Sequence, residues 1–225
     1  QMPTWFNDVN GEYMGFDRAV HKAEGFRYYT DFSLWDSFRT VHPLYNLIAR
    51  KDQRDMMASL VEMAKAGGCL PRWPSGCGYT NCMFGTPADV AVSEAYLKGV
   101  RDFDVETAYK AMRQTALDGV PAGSRFAGRE GLEWYLKCGY CPSDKTGDSV
   151  SATLEYAWSD RALSLLAAEL GRKEDAELFA EHARSYRNVW NPATQHFEPR
   201  DTQGEFPKER NFLVLSYLDS KHRYT

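Results

Sequence analysis

The stretch Tyr28-Tyr29-Thr30-Asp31-Phe32-Ser33-Leu34-Trp35-Asp36-Ser37-Phe38-Arg39 is where the chain changes character. Before it, residues 1–32 are rich in Gly, Asn, Asp and Tyr and carry no long period. They predict turns and short extended pieces, with Asn10-Gly11 as a hairpin turn. From Ser33 a helical period takes over. Ser33 is placed to cap, and Leu34, Phe38, Val41, Leu44 and Ile48 follow one face, kinked near Pro43. The same stretch sets aromatics, two carboxylates and an arginine at the entrance of that helix. A plain core helix has no use for Trp and Asp side by side in its first turn. A sugar site does: flat rings cover the apolar face of a pyranose, and a carboxylate accepts hydrogen bonds from neighbouring hydroxyls. Carbohydrate is therefore the first functional expectation.

Working outward, helical periods recur. A helix is predicted over 52–66 on Met56, Met57, Leu60, Val61 and Met63, stopped by Gly67-Gly68. Residues 69–86 hold two prolines and three glycines and read as a long loop, a kind of segment that is usually functional in helical domains. Pro87 opens a third helix that ends near Gly99. A fourth covers 104–117, capped by Asp104, with Val105, Ala108, Tyr109 and Met112 as its buried stripe. A linker over 119–128 precedes a short helix over 130–137. Long helices follow over 149–170, closed by Gly171, and 174–190, closed by Asn191-Pro192. Residues 193–210 predict turns and a small hairpin, and the apolar tail 212–218 is too short to classify. No strand alternation separates the helices, which excludes a parallel sheet. The expected fold is all-α: helical hairpins joined by alternating short and long loops, as a partial α/α toroid, with short irregular or β pieces near the N-terminus. A closed toroid of twelve helices takes on the order of 400 residues. The 225 residues here predict an arc with exposed inner faces.

Composition narrows the partners. Charged residues are 26% and the net charge is −4, with no basic run, which argues against nucleic acid. No apolar run approaches the roughly 20 residues that span a bilayer. The chain opens at Gln1 in mid-motif and reads as a mature fragment or an excerpt. Aromatics reach 14%, which suits a ring-lined cleft or a large helical core. Of five cysteines, Cys138 and Cys141 have half the spacing of a zinc site, but no second pair stands at matching distance. The five read as small buried thiols, with room for one disulfide. The five histidines show no ligand spacing, and none is assigned a role.

Five strings together resemble glycoside hydrolase family 92, the calcium-dependent, inverting, exo-acting α-mannosidases. They are FNDVNGEYMGFDRAVH (6–21), YYTDFSLWDSFRTVHPL (28–44), LPRWPSGCGYTNCMFG (70–85), DVAVSEAYLKGVRDFDVETAYKAMR (89–113) and SVSATLEYAWSD (149–160). They stand in the family's order and cover nearly the whole chain. The resemblance implies a β-sandwich domain followed by an α/α toroid. Residues 1–32 would be the irregular entry segment of the catalytic domain and 33–225 the first part of its toroid, without the sandwich or the C-terminal catalytic part. In the family the general acid is a Glu in a Thr-Glu-Gly string, just past the segment that here ends with Arg223-Tyr224-Thr225. The base, an Asp in an Asn-Asp-Asp string, and a metal-holding Gly-Asn-Glu-Pro string follow. None is in this sequence, so no catalytic residue and no metal ligand is assigned.

Substrate-binding candidates remain. Asp36 would accept hydrogen bonds from hydroxyls of a terminal mannose, or serve as a first-turn carboxylate on the helix dipole. Trp35 would wall the pocket or pack; consecutive helix residues point about 100° apart, so both cannot face one sugar squarely. Asp31 and Arg39 are expected to pair and hold the helix entrance. In the long loop, Arg72, Trp73 and Asn81 either line the pocket mouth or pin the loop. Asp89 is a pocket carboxylate or a dipole partner. Glu155, among apolar neighbours, has the surroundings of an acid with a raised pKa, but the resemblance puts the acid elsewhere and leaves it a supporting role. Glu174, Asp175, Glu177 and Arg184 read as a solvated helix face. The expected function is exo-α-mannosidase action on α-1,2-linked mannose of N-glycans or mannans, with Ca²⁺ as cofactor, mannose-containing oligosaccharide as partner, and an extracellular or periplasmic setting inferred from that substrate. This chain by itself is expected to be inactive. The alternatives are another α/α-toroid glycosidase and a non-catalytic carbohydrate-binding scaffold.

Overall fold

The structure is a computed structural model and describes residues 3–207. Eight α-helices carry it: α1 (Leu34–Ser37), α2 (Val41–Ile48), α3 (Arg50–Gly67), α4 (Pro87–Leu97), α5 (Val105–Leu117), α6 (Leu132–Cys138), α7 (Ser149–Glu169) and α8 (Lys173–His182). The strands are short and form four antiparallel pairs: β1 (Thr4–Trp5) with β4 (Tyr29–Thr30), β2 (Glu12–Met14) with β3 (Val20–Lys22), β5 (Pro74–Ser75) with β6 (Gly78–Tyr79), and β7 (Trp190–Asn191) with β8 (His196–Phe197). The mainly helical expectation therefore holds. The predicted tail at 212–218 lies outside the described residues.

Local chemistry explains several helix ends, although Ser33, expected to cap α1, makes no side-chain cap bond. Gly68 closes α3 in the left-handed region at φ +85°. Pro87 occupies the first turn of α4, where its missing N–H has no helical partner to lose. The Asp104 carboxylate accepts from the Thr107 backbone N–H at 3.0 Å and caps α5. α4 and α7 are buried on several faces. α4 packs on α1, α2, α3, α5 and α7, while α7 packs on α4, α5 and α8. Their Ala and Ser residues keep the helix surfaces low, so the backbones approach closely.

Several expectations need correction. The helix predicted from Ser33 to Ile48 is two helices, and Pro43 lies in the first turn of α2 instead of kinking a longer one. α2 is also rolled. His42 and Asn46 are buried, whereas Leu44 and Ile48 of the expected stripe are 49% and 71% exposed. Asn10-Gly11 does turn the chain, at Gly11 φ +86°, but ahead of β2; residues 15–19 connect β2 to β3. α8 stops at His182 and the chain continues as a 3-10 turn (Ser185–Val189). That turn carries Val189 into a small cluster with Tyr140 and Val150, a contact that a longer helix would not make. Asp175 is not simply solvated: it accepts from Tyr109 Oη at 2.6 Å and Arg113 Nε at 2.8 Å, which fastens α8 to α5. All five thiols are free, and Cys77 and Cys82 are exposed.

One buried ion network ties three helices together. Arg129, from the segment before α6, has a fully buried guanidinium. Its Nη1 donates to Asp160 of α7 at 2.6 Å, and its Nη2 stands 3.6 Å from Asp89 of α4. Tyr135 of α6 donates to the second oxygen of Asp160 at 2.8 Å. One cation thus faces two carboxylates, and the short bonds fall on Asp160. Burial pushes the Asp89 carboxyl up to about 7, against the pull of Arg129.

Removing the closely bonded partner leaves the buried cation with only the more distant Asp89, so Asp160→Asn is expected to cost about 3–5 kcal/mol in urea denaturation. Asp89→Asn is expected to cost less. Between pH 3.8 and about 7 the folded chain keeps a proton on Asp89 that the unfolded chain has released. Its contribution is therefore present in full at the acid end and lost as pH rises. The unfolding free energy of Asp89→Asn relative to wild type is expected to improve across that window. A flat difference would contradict this assignment.

Candidate functional site

The entrance to α1 is built by a tight clamp on the loop that follows α3. Asp31 adopts φ +55°, uncommon for a side-chain-bearing residue. That turn aims its carboxylate at the tip of the β5–β6 hairpin, where Oδ1 accepts from Gly76 N at 3.0 Å and Ser75 Oγ at 3.1 Å. Thr30 adds a bond from its hydroxyl to the Gly76 carbonyl at 2.6 Å. Asp31 is therefore engaged with the loop, and the Asp31–Arg39 pair expected from the sequence does not form.

Arg39 instead reaches α7. Its Nη2 donates to Glu155 Oε1 at 3.0 Å. The guanidinium carbon lies 4.5 Å from the centroid of the Trp35 ring, 4.5 Å from that of Phe38 and 5.6 Å from that of Trp158. Phe38 and Trp158 meet edge to face at 5.2 Å. Burial raises the Glu155 pKa, opposed by the hydrogen bond and charge of Arg39. The end of the long loop closes over this group: a Cβ at Gly85 would stand 2.8 Å from that of Glu155.

Asp36 sits beside Trp35 and faces outward. It is exposed, and its carboxylate has no partner among the described residues. The two neighbours thus have separate surroundings, Trp35 half-buried against Arg39 and Asp36 free to accept. The first-turn position of Asp36 also lets it interact with the short α1 dipole.

The loop candidates lie elsewhere around the same loop. Arg72 is buried; its Nη1 donates to the Met83 carbonyl, while Nε and Nη2 find no partner among the described residues. Its backbone N–H donates to Tyr79 Oη at 3.0 Å. The Trp73 carbonyl accepts from Thr80 N and Thr80 Oγ1 at 3.2 and 3.0 Å. Asn81, at φ +55°, accepts from Ala127 N at 2.9 Å and so pins the loop to the 119–128 linker. Asp89 faces Arg129 in the buried network and does not open to solvent. The geometry thus gathers Trp35 with Arg39, Glu155 and Trp158 and leaves Asp36 exposed beside them. It sets Arg72, Trp73 and Asn81 in the supporting loop and Asp89 behind it.

Asp36 and Trp35 offer a hydroxyl acceptor beside an apolar ring, a pairing that suits a sugar. No proton donor poised over a free carboxylate is visible here. Among the described residues, no group of three or more His, Cys, Asp or Glu side chains could hold a metal ion.

Known proteins bear on this geometry. An α-mannosidase of family GH92 from Bacteroides thetaiotaomicron, solved in complex with mannoimidazole, is 34% identical and superposes with a TM-score of 0.85, over 93% of this chain and 27% of its own. A family GH92 inverting mannosidase from the same bacterium is 29% identical, with a TM-score of 0.83, over 91% of this chain and 27% of its own. A curated relative from Arthroderma benhamiae, described as an uncharacterized secreted glycosidase, is 27% identical over 162 residues, 66% of this chain and 20% of the relative. The chain therefore spans less than a third of the length of each of these proteins. With the sequence profile of the glycosyl hydrolase family 92 catalytic domain matching residues 1–221, the chain belongs to that family.

Proposed function

We propose that this chain forms the sugar-gripping part of an inverting, exo-acting α-mannosidase that removes α-1,2-linked mannose from N-glycans or mannans. The observation that carries the reading is the free carboxylate of Asp36 beside Trp35, in a chain of this family. The mannoimidazole complex of the GH92 neighbour supports mannose as the sugar. The helices fit an arc of an (α/α)6 toroid, with residues 1–32 as its entry segment and 33–225 as its first part. An extracellular or periplasmic setting goes with a glycan substrate and with the secreted relative. Among the described residues, no helix is long and apolar enough to cross a membrane. Calcium belongs to the same reading, with ligands outside the described residues.

Inverting hydrolysis separates two tasks. A protonated carboxyl serves the leaving oxygen, and a carboxylate roughly 6.5–9.5 Å away activates water on the opposite face. Neither is assigned to this chain. Its own residues hold the terminal sugar. Asp36 accepts hydrogen bonds from two ring hydroxyls, and those bonds strengthen as positive charge grows at the anomeric carbon. Trp35 limits how the ring tilts.

Loss of two charge-assisted hydrogen bonds, at about 1.5–3 kcal/mol each, sets the scale of the test. In the intact enzyme, Asp36→Ala is expected to lower kcat/KM on an α-1,2-dimannoside by about 100-fold or more. Unchanged kinetics would remove Asp36 from the site. On a panel of aryl glycosides, the intact enzyme is expected to cleave the α-mannoside, to lose that activity in chelator and to regain it with calcium. Preference for an α-glucoside, or indifference to chelator, would favour another toroid glycosidase.

A further inference from the structure

Three segments far apart in the chain meet at Glu155. α1 brings Trp35, with Arg39 just beyond its end; α7 brings Glu155 and Trp158; the long loop brings Gly85. Glu155 has a side chain only 16% exposed, and it accepts from Arg39 Nη2 at 3.0 Å. Arg39 in turn lies over the Trp35 ring, so one ring face is already covered. Gly85 closes the other side of Glu155, because even a methyl group there would collide with it.

An isolated ion pair at a surface is a weak constraint. This one differs because the guanidinium also lies over aromatic rings and Gly85 packs against Glu155. The guanidinium is planar and stacks on rings while it donates in its own plane. Without Glu155, the Arg39 guanidinium would stand without its counter-ion among Trp35, Phe38 and Trp158 and would turn toward water. Trp35 would then lose its cover and its fixed rotamer, one residue away from Asp36.

We propose that Glu155 is the positioning residue of the sugar wall: through Arg39 it holds the Trp35 ring at one depth beside Asp36. The proposal rests on the mannosidase reading and deepens it. Glu155 neither touches the sugar nor moves a proton; it acts through Arg39. Its action is to keep one face of Trp35 covered and to bar the rotamers in which the indole swings over Asp36.

The test combines kinetics on an α-1,2-dimannoside with acrylamide quenching of tryptophan fluorescence, in the intact enzyme. A Trp35→Phe reference isolates the Trp35 signal. Glu155→Ala is expected to lower kcat/KM by about 10- to 100-fold, chiefly through KM, and to make Trp35 more quenchable. Glu155→Gln, similar in shape and still an acceptor for Arg39, is expected to recover most of both effects. A Glu155→Ala enzyme with wild-type KM, or with a raised KM and unchanged Trp35 quenching, would overturn the proposal, and so would the absence of any rescue by glutamine. Should Glu155→Ala fail to fold, Arg39→Lys carries the test, because it keeps the charge and loses the planar stack. It is expected to raise both KM and Trp35 quenching, and wild-type values of either would overturn the clamp. If the wild-type enzyme cleaves no mannoside, the mannosidase reading fails, while the quenching comparison still decides whether Glu155 holds Trp35.

Discussion

The buried guanidinium of Arg129 sets the spacing on which the rest depends. It has no exposed surface and lies between Asp160 of α7 and Asp89 of α4. A cation placed there must be answered by nearby carboxylates, so the two helices cannot slide apart without stranding it. The same two helices are held a second time where Ser159 donates to the Thr86 carbonyl at 3.2 Å. Thr86 adjoins Gly85, and Glu155 lies little more than one turn before Asp160. The network therefore fixes the distance between the end of the long loop and the start of α7. That distance decides where Glu155 meets Arg39, and hence where Trp35 stands. A buried polar contact thus bears on the geometry of the proposed sugar wall.

Much of the helical framework was legible in the residues. Gly67-Gly68, Pro87, Asp104 and Gly171 are local signals, and the helices they bound appear where such signals place them. α2 was misread because periodicity finds a stripe but not the neighbour that covers it. Its polar His42 and Asn46 turn inward toward α3 and α4, and His42 Nδ1 lies 2.9 Å from Gln53 Oε1. Leu44, Leu47 and Ile48 are left outside. The small hairpins were only partly legible, since two-residue strands carry almost no pattern.

The site was legible in its residue types and less so in its pairings. Trp35 and Asp36 stand together because they are neighbours in sequence. Arg39 finds Glu155 across 116 positions, and no local pattern specifies such a partner. Proximity in sequence favoured Asp31 for that role, but the left-handed turn at Asp31 points its carboxylate at the hairpin tip instead. Asp89 was legible as a helix-start carboxylate; its burial against Arg129 follows only from how α4 and α7 pack.

Gripping and cleaving are separate in the proposed function, and the residues described here belong to gripping. The most direct measurement is a crystal structure of the intact enzyme with mannoimidazole bound. The account expects the inhibitor's ring hydroxyls within hydrogen-bond distance of the Asp36 carboxylate, with Trp35 alongside and Arg39 still bound to Glu155. An inhibitor seated away from Asp36, with that carboxylate left in solvent, would contradict it.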